Sequence, residues 1–324
     1  MTRAGILYRS RRELSLLTVI SLSLATKLVV LVLLAGCASY IHFRGRVRHG
    51  FLRQLTDHST FLAPYNVLVT MFSAVPRQPI QKVSDFPDLA PLRENWKTLR
   101  EEAERIEERG DIRPAEKHND VAFNTFFRRG WTRFYIKWYG EPLPSAERLT
   151  PKAVALIKSI PSVNAALFAR LPPRGELGEH RDPFAGSLRY HLGLKTPNSD
   201  ACRIYVDGTP YSWRDGEDLV FDETYIHSVR NDTDEARIIL FCDVARPIRN
   251  PVMRAVNRFV TRHIVKITAA QNVDGEQIGA VNSISGYVYK LKLFFEGAKK
   301  ANRRLYYAAK YLLIAALIYA TLFR

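Results

Sequence analysis

The amino-acid sequence predicts an α+β fold. In this fold a jelly-roll or cupin-like core of antiparallel strands is flanked by helices, and a membrane-anchoring helix lies at each end of the chain. Both ends are apolar and bordered by basic residues. Residues 46–160 and 251–305 carry apolar residues at helical spacing. Residues 161–250 form short β-branched and aromatic runs separated by turn residues, which indicates a series of strands.

The charge balance predicts an anionic partner. The 324 residues contain 48 Lys and Arg against 32 Asp and Glu, a formal net charge of +16. Nucleic acid, an anionic membrane and an anionic substrate all suit such a balance. The sequence has no zinc-finger spacing, RNA-binding aromatic signature or helix-turn-helix pattern, so we expect no nucleic-acid partner. The basic residues cluster beside the apolar ends, which favours membrane lipids.

Residues 1–45 are predicted to be an N-terminal extension and membrane anchor. Residues 28–43 carry no charge, and the apolar run reaches back to Leu14, so one span of about 20 residues fits there. The string LLAGC ending at Cys37 also matches a lipoprotein cleavage site, which leaves lipidation as an alternative. Cys37, Cys202 and Cys242 form no CxxC pair, which indicates reduced thiols and a cytosolic compartment.

Residues 306–324 are predicted to form a C-terminal membrane segment. The uncharged run from Tyr311 to Phe323 is short, but it extends past Lys310, whose side chain can snorkel to the interface. A helix lying in the membrane interface is the alternative. Basic clusters follow the first apolar segment and precede the last one. This placement predicts that the middle of the chain faces the cytoplasm.

The helical regions differ in charge. A helix starting at Pro91 places Leu99, Ala103 and Ile106 on one apolar face, opposite a charged face. In residues 251–305 apolar residues such as Val256 alternate with arginines, which predicts basic amphipathic helices. These helices suit either a membrane surface or packing against the strand core.

A metal site is predicted within the strand region. His180 and Asp182 lie at a strand edge, and His227 lies in a later strand. Two imidazoles and one carboxylate form the triad of non-haem iron(II) oxygenases, which leaves coordination positions open for a 2-oxo acid and dioxygen. A second H-x-D match begins at His118, but it lies between helical segments.

Three further residues are candidates for binding an anionic co-substrate. Arg237 lies in the strand after His227, and the planar fork of an arginine suits the far carboxylate of 2-oxoglutarate. Arg189 and His191 are two residues apart in one strand and therefore share a face. They belong to the site if that face is buried. The alternative is that Leu188, Tyr190 and Leu192 face inward instead.

Five strings of the sequence resemble the aspartyl/asparaginyl β-hydroxylase family, and more narrowly its bacterial lipid A 2-hydroxylase branch. The resemblance covers roughly residues 28–250, and its strings are RQLTDHSTFLAPYNVL, GWTRFYIKWYGEPLPSAERL, HRDPFAGSLRYHLGL, IYVDGTPYSWRDGEDLVFDETYIHSV and ARIILFCDVARP. It implies a double-stranded β-helix that uses iron(II), 2-oxoglutarate and oxygen. It also implies that His180 and His227 bind the metal, and that Arg189, His191 and Arg237 contact the co-substrate. The carboxylate of Asp182 distinguishes this sequence from the peptidyl hydroxylases.

The resemblance implies a function at the bacterial inner membrane, with the catalytic domain facing the cytoplasm. The expected reaction is hydroxylation of C2 of a secondary acyl chain of lipid A, whose phosphates would meet the basic surface. Phe184, Tyr190, Tyr211 and Trp213 are candidates for an aromatic groove around the acyl chain. A peptidyl aspartyl/asparaginyl β-hydroxylase and a non-catalytic cupin-like membrane module are the alternatives.

Overall fold

A computed structural model describes residues 24–112, 130–273, 275–276, 279–280 and 285–323. The second H-x-D match at His118 and the first 23 residues lie outside the described residues. The chain divides into two compact units. One unit comprises residues 40–289, and the other comprises the chain segments on either side of it.

The helices come before and after the strand-rich part of the chain. They are α1 (Leu24–Phe43), α2 (Phe51–Leu55), α3 (His58–Phe61), α4 (Ala63–Met71), α5 (Ala90–Glu94), α6 (Trp96–Glu108), α7 (Pro144–Leu149), α8 (Pro151–Ser159), α9 (Pro251–His263), α10 (Ser285–Ala301) and α11 (Arg303–Phe323). Short 3₁₀ turns cover Val83–Asp85, Pro87–Leu89 and Val265–Thr268. The predicted helix at Pro91 is divided in two at Asn95, between α5 and α6.

The strands form two antiparallel sheets. They are β1 (Ile80–Gln81), β2 (Thr132–Trp138), β3 (Val163–Leu171), β4 (Glu176–His180), β5 (Ser187–Lys195), β6 (Cys202–Val206), β7 (Thr209–Ser212), β8 (Asp218–Phe221), β9 (His227–Asn231) and β10 (Arg237–Ala245). One sheet has the order β1-β8-β5-β10-β3-β2, and the other has the order β4-β9-β6-β7. Helices combined with antiparallel sheets confirm the α+β class.

The six-stranded sheet is buried on both faces. Helix α6 packs against β5, and its Leu99, Ala103 and Ile106 are at most 1% exposed. The opposite face of β5 looks toward the other sheet, and from Ser187 to Leu194 the strand is entirely buried. A strand covered on both faces needs no polar side, so its sequence does not show which residues face which layer.

One expectation about the helical region was wrong. Thr132–Trp138, within the segment predicted to be mostly helical, is strand β2, and Ile80–Gln81 adds a short strand at the opposite edge of the same sheet. The strand core predicted for residues 161–250 therefore extends toward the N-terminus. The sequence of β2 is rich in aromatic residues, which are frequent in strands.

The apolar N-terminal helix has the dimensions of a membrane span. Ala25–Phe43 is 19 residues long, has a mean hydropathy of 1.7 and is almost entirely exposed. By length and composition it is able to cross a membrane. At the other end, α11 is a helix of 21 residues; whether it spans or lies on the membrane stays a prediction. Cys37, Cys202 and Cys242 are all free thiols, as expected.

Candidate metal centre

Two histidines face each other across neighbouring strands. His180 is the last residue of β4 and His227 is the first of β9, and their Cα atoms are partners in the register of the two strands. Their ring centroids lie 4.2 Å apart. The register shifts between Leu177 and His180. Irregularities of this kind often re-aim a side chain next to a functional site.

Asp182 completes a cluster of three potential metal ligands. Its backbone N–H donates to the carbonyl of Glu223 at 2.8 Å, which fixes the loop that follows β4. One ligand atom from each of His180, Asp182 and His227 lies within 4.8 Å of the other two. Two imidazoles and a carboxylate at this spacing can converge on one metal ion.

Backbone carbonyls set the tautomer of both histidines. Nδ1 of His180 lies 2.8 Å from the carbonyl oxygen of Gly178, and Nδ1 of His227 lies 3.0 Å from that of Tyr225. A carbonyl only accepts, so each Nδ1 must carry the proton and donate it. Each Nε2 is then left with its lone pair for a metal. Metal-binding histidines are commonly oriented in this way.

The electrostatics of the site favour metal-ready protonation states. Burial, followed by the nearby His180, lowers the pKa of His227 to about 3, so its imidazole is neutral at physiological pH. Burial opposes the ionisation of Asp182, but the positive charge of Arg189 and the nearby His227, His180 and His58 together outweigh it and lower the pKa of Asp182 to about 2. A neutral imidazole and an ionised carboxylate are the forms that bind metal.

The buried neutral His227 predicts a loss of stability in acid. Its pKa lies below the usual value of 6.5, so the unfolded chain takes up the proton first as the pH falls. In metal-free protein this should lower the free energy of unfolding by about 2 kcal/mol between pH 7 and pH 5. Chemical denaturation in detergent at the two pH values measures it. The His227→Gln protein should lack this part of the pH dependence, and equal dependence in both proteins would refute the assignment.

Arg189 is held by three carboxylates in the interior. Its Nη2 donates to Asp182 at 2.8 Å and also lies close to Glu223, and its Nε lies 2.8 Å from Asp243. Burial, Asp243 and the other two carboxylates act on this guanidinium, and the carboxylates outweigh burial and raise its pKa. Arg189 therefore fixes the side chain of Asp182. Its predicted contact with a co-substrate stays a prediction.

Glu223 and Asp243 were missed by the sequence analysis. Burial raises the pKa of both carboxyl groups. Hydroxyl groups donate to them: Ser187 donates to Glu223 and Tyr139 donates to Asp243, each at 2.8 Å. No spacing rule connects these residues to Arg189. Only the register of β5 with β10 and β8 brings them together.

Arg237 is a fully buried cation. Its exposure is 0%, and none of its three guanidinium nitrogens has a hydrogen-bond partner among the described residues. The guanidinium carbon lies 4.1 Å from the ring centroid of Trp213 and 5.0 Å from that of Trp131. Burying an unpaired charge is unfavourable unless an anion accompanies it. This cation therefore fits the far carboxylate of 2-oxoglutarate.

His191 is close enough to Arg189, Arg237 and His227 for their charges to act on its imidazole. It is 5% exposed, and neither ring nitrogen has a hydrogen-bond partner among the residues that the structure describes. Burial, with Arg189 and Arg237 nearby, holds its pKa well below the usual value. A neutral imidazole here is able to donate a hydrogen bond to a bound oxo acid.

A cavity with mainly apolar walls contains the three candidate metal ligands. Its walls include Leu167, Ala169, Leu177, Ile204, Phe221, Val229 and Phe241, beside His180, Asp182, Arg189, His191 and His227. Arg133 of β2 also lines the cavity and is 3% exposed. The helical interpretation of this segment concealed it, whereas the period-2 alternation of a strand would have placed Arg133 and Tyr135 on one face.

The four aromatic candidates do not form one groove. Tyr190 donates to Asp218 on the face of β5 opposite to Arg189 and His191, so its assignment to the acyl groove was wrong. Tyr211 donates to the backbone of Asp218. Trp213 packs on Arg237, as described above, and Phe184 stacks on Tyr65 with centroids 5.7 Å apart.

The donor set first defines the class of protein. Two histidines and one carboxylate lie together in a cavity beside Trp131, which packs on the buried guanidinium of Arg237. This donor set is the type of centre found in non-haem iron(II) oxygenases.

The sequence family is equally clear. Residues 93–247 match the sequence model described as Aspartyl/Asparaginyl beta-hydroxylase, so this part of the chain is similar to that family of hydroxylases. The match confirms the predicted family, but it covers a shorter segment than the predicted residues 28–250.

Named relatives support the family. The chain is 30% identical over 181 residues to the "Ornithine lipid ester-linked acyl 2-hydroxylase" of Rhizobium tropici, covering 55% of this chain and 64% of that protein. It is 26% identical over 170 residues to the human "Aspartyl/asparaginyl beta-hydroxylase", covering 50% of this chain and 22% of that protein. The chain thus spans less than two thirds of either relative.

Among solved structures, a Pseudomonas putida prolyl-4-hydroxylase aligns with a TM-score of 0.32 and 20% identity, covering 48% of this chain and 87% of that one. A 2OG-Fe(II) oxygenase family oxidoreductase from Burkholderia pseudomallei aligns with a TM-score of 0.26 and 14% identity, covering 37% of this chain and 71% of that one.

Proposed function

We propose that this protein is an iron(II)- and 2-oxoglutarate-dependent hydroxylase that acts on C2 of a fatty acyl chain of a membrane lipid, with a secondary acyl chain of lipid A as the substrate. Its two sheets would form a double-stranded β-helix. The observation that carries the proposal is the convergence of His180, Asp182 and His227 in a cavity that is also lined by Trp131, the ring that packs against the buried guanidinium of Arg237.

The residues of the site fit both groups that the proposal requires. The two Nε2 atoms and the carboxylate of Asp182 would hold iron(II), and Arg237 would bind the far carboxylate of 2-oxoglutarate. Together with oxygen, iron and 2-oxoglutarate supply the oxidising power to break an unactivated C–H bond, which acid–base side chains lack. Arg189 keeps Asp182 ionised and in place, because it holds that carboxylate while Glu223 and Asp243 hold Arg189.

The apolar lining of the cavity supports an acyl chain as the substrate. Phe221, Val229 and Phe241 line the cavity together with the metal cluster and offer an alkyl chain dispersion contacts and burial from water. They also exclude water from the reacting carbon. The similarity to a protein named for acyl 2-hydroxylation of ornithine lipid supports the same position on the chain.

The location proposed for the enzyme is the bacterial inner membrane, with the metal centre on the cytoplasmic side. The apolar helix α1 supports membrane attachment. The basic residues that follow it in the sequence favour the cytoplasmic side for the rest of the chain. 2-Oxoglutarate would then reach the site from the cytosol.

Mass spectrometry of the lipids tests the proposal. Cells that express the protein should contain lipid A with one additional oxygen atom on a secondary acyl chain, and cells that express the Asp182→Ala protein should not. Fragmentation locates the oxygen at C2. An added oxygen on ornithine lipid, with lipid A unchanged, would keep the reaction and replace the substrate.

Peptidyl hydroxylation is the rival function, and the 26% identity to the human β-hydroxylase favours it. Purified protein supplied with iron(II), 2-oxoglutarate and either lipid A or an Asp- and Asn-containing peptide separates the two. Succinate release that depends on lipid A supports our proposal. Release that depends on the peptide alone contradicts it.

A further inference from the structure

Between residues 44 and 280, large exposed apolar side chains are confined to two segments of the described chain. Among the residues from 44 to 280 whose burial the structure describes, every large apolar side chain that is exposed lies in Phe51–Met71 or in Val252–Ile267. They are Phe51, Leu52, Leu55, Phe61, Leu62, Leu68, Met71, Val252, Val256, Phe259, Ile264 and Ile267. The intervening sheets present no such side chain to solvent among their described residues. A concentration of this kind marks an interaction surface.

The two segments form one continuous part of the molecule. Helix α9 packs against α4, and Val69 and Met253 share a small core with Ala185. The hydroxyl of Tyr65 donates to Asn257 at 2.6 Å. We call the surface formed by α2, α3, α4 and α9 the apolar helical face.

Helix α9 packs on the protein with a face that the sequence does not single out. Met253, Asn257 and Thr261 are its buried residues. Val252, Val256 and Phe259 lie along one exposed flank at helical spacing, and they are 70%, 41% and 59% exposed. Arg254, Arg258 and Arg262 lie along the other flank, four residues apart, and all three are exposed. The helix therefore presents both apolar side chains and positive charge to solvent.

The charge of the apolar helical face is uniformly positive apart from one residue. Residues 249–268 contain no Asp or Glu, and residues 40–78 contain only Asp57, which caps α3 through the N–H of Ser59. Arg53 is exposed in α2. Apolar side chains beside basic ones match the interface of an anionic bilayer, where the former enter the acyl boundary and the latter meet phosphates.

The same helices hold the loop that follows His180 and carries Asp182. The side chain of Asn66 donates to the carbonyl of Pro183 at 3.0 Å, and its oxygen accepts from the N–H of Ala185 at 3.0 Å. Asn257 donates to the carbonyl of Gly186 at 3.1 Å. Gly186 approaches Asn257 so closely that a Cβ atom would overlap its oxygen. The apolar helical face is thus built directly onto the loop that follows β4 and carries Asp182.

We propose that the apolar helical face docks the metal centre onto an anionic lipid bilayer, so that the acyl chain enters the cavity from the membrane. This docking involves the apolar helical face alone, and it is separate from membrane anchoring by α1. The direction of acyl entry rests on the proposed lipid hydroxylation, whereas the docking itself does not.

Depth-dependent fluorescence quenching tests the docking. Val252→Cys and Phe61→Cys are made in the full-length Cys37→Ser protein, labelled with an environment-sensitive fluorophore and reconstituted into phosphatidylglycerol vesicles with brominated acyl chains. Cys202 and Cys242 are buried and escape labelling. Both labels should lose fluorescence to the bromolipid. A label at Asp234→Cys, whose side chain is 86% exposed in the β9–β10 loop, should keep it.

The matched control separates docking from simple attachment, because α1 keeps all three labelled proteins at the membrane. Quenching should weaken when neutral phosphatidylcholine replaces the anionic lipid or when salt is added. Quenching at Val252 and Phe61 no greater than at Asp234 would overturn the proposal. So would disulfide cross-linking of Val252→Cys chains without quenching, which would assign this face to a second copy. The assay uses neither iron nor 2-oxoglutarate, so its outcome is independent of hydroxylation.

Discussion

We expect the Asp182→Ala protein to lose lipid hydroxylation to below detection while it stays folded and bound to the membrane. The substitution removes one of three ligands of the proposed iron centre, and the remaining two histidines cannot complete the triad. The fold should survive, because Arg189 keeps its contacts with Glu223 and Asp243. Iron content after reconstitution measures the loss of metal binding, and succinate release measures the loss of activity.

A neighbouring carboxylate provides the matched control for Asp182. Glu179 is exposed and lies in the same strand as His180, so the Glu179→Ala protein should retain iron and activity. His180→Ala and His227→Ala should behave like Asp182→Ala, since each removes one ligand. Full activity in the Asp182→Ala protein, or iron retained at the wild-type level in all three, would contradict the assignment of the ligands.

The three residues of the candidate metal centre could be selected from the sequence because their chemistry is local. His180 and Asp182 are two residues apart, and His227 lies in a recognisable strand, so a short motif and the order of strands were sufficient. Glu223 and Asp243 illustrate the opposite case. Their importance comes from a shared partner in a strand between them, and the register that brings the three together is set by the packing of the whole sheet.

Orientation is the property that the sequence left open. In β5 both alternating sets of side chains are buried, so hydrophobicity could not tell that Arg189 and His191 line the cavity of the candidate metal centre while Tyr190 lies on the opposite face of the strand. Helix α9 shows the same limit. Its apolar flank could have packed on the core, but the structure packs the side that contains Asn257, whose hydrogen bond to Gly186 is specific to this loop.

The second large effect is expected for Arg237→Met, which keeps the approximate volume of the side chain and removes its charge. If Arg237 binds the far carboxylate of 2-oxoglutarate, the KM for 2-oxoglutarate should rise on the order of 100-fold, since a buried charge pair loses about 3 kcal/mol when one partner is removed. Succinate release at increasing 2-oxoglutarate measures it. Arg237→Lys keeps the charge but loses the planar fork, so we expect an intermediate KM.

The same substitution should stabilise the protein when the co-substrate is absent. Burial lowers the pKa of Arg237 to about 10, which shows that the interior disfavours its charge. Removing an unpaired buried cation removes that penalty, so thermal unfolding of the Arg237→Met protein should occur at a higher temperature than that of the wild type. A non-reactive analogue of 2-oxoglutarate should raise the unfolding temperature of the wild type only. Wild-type KM in the Arg237→Met protein would make Arg237 a structural cation between two tryptophans, and Arg133, which lines the metal cavity, would be the next candidate for binding the co-substrate.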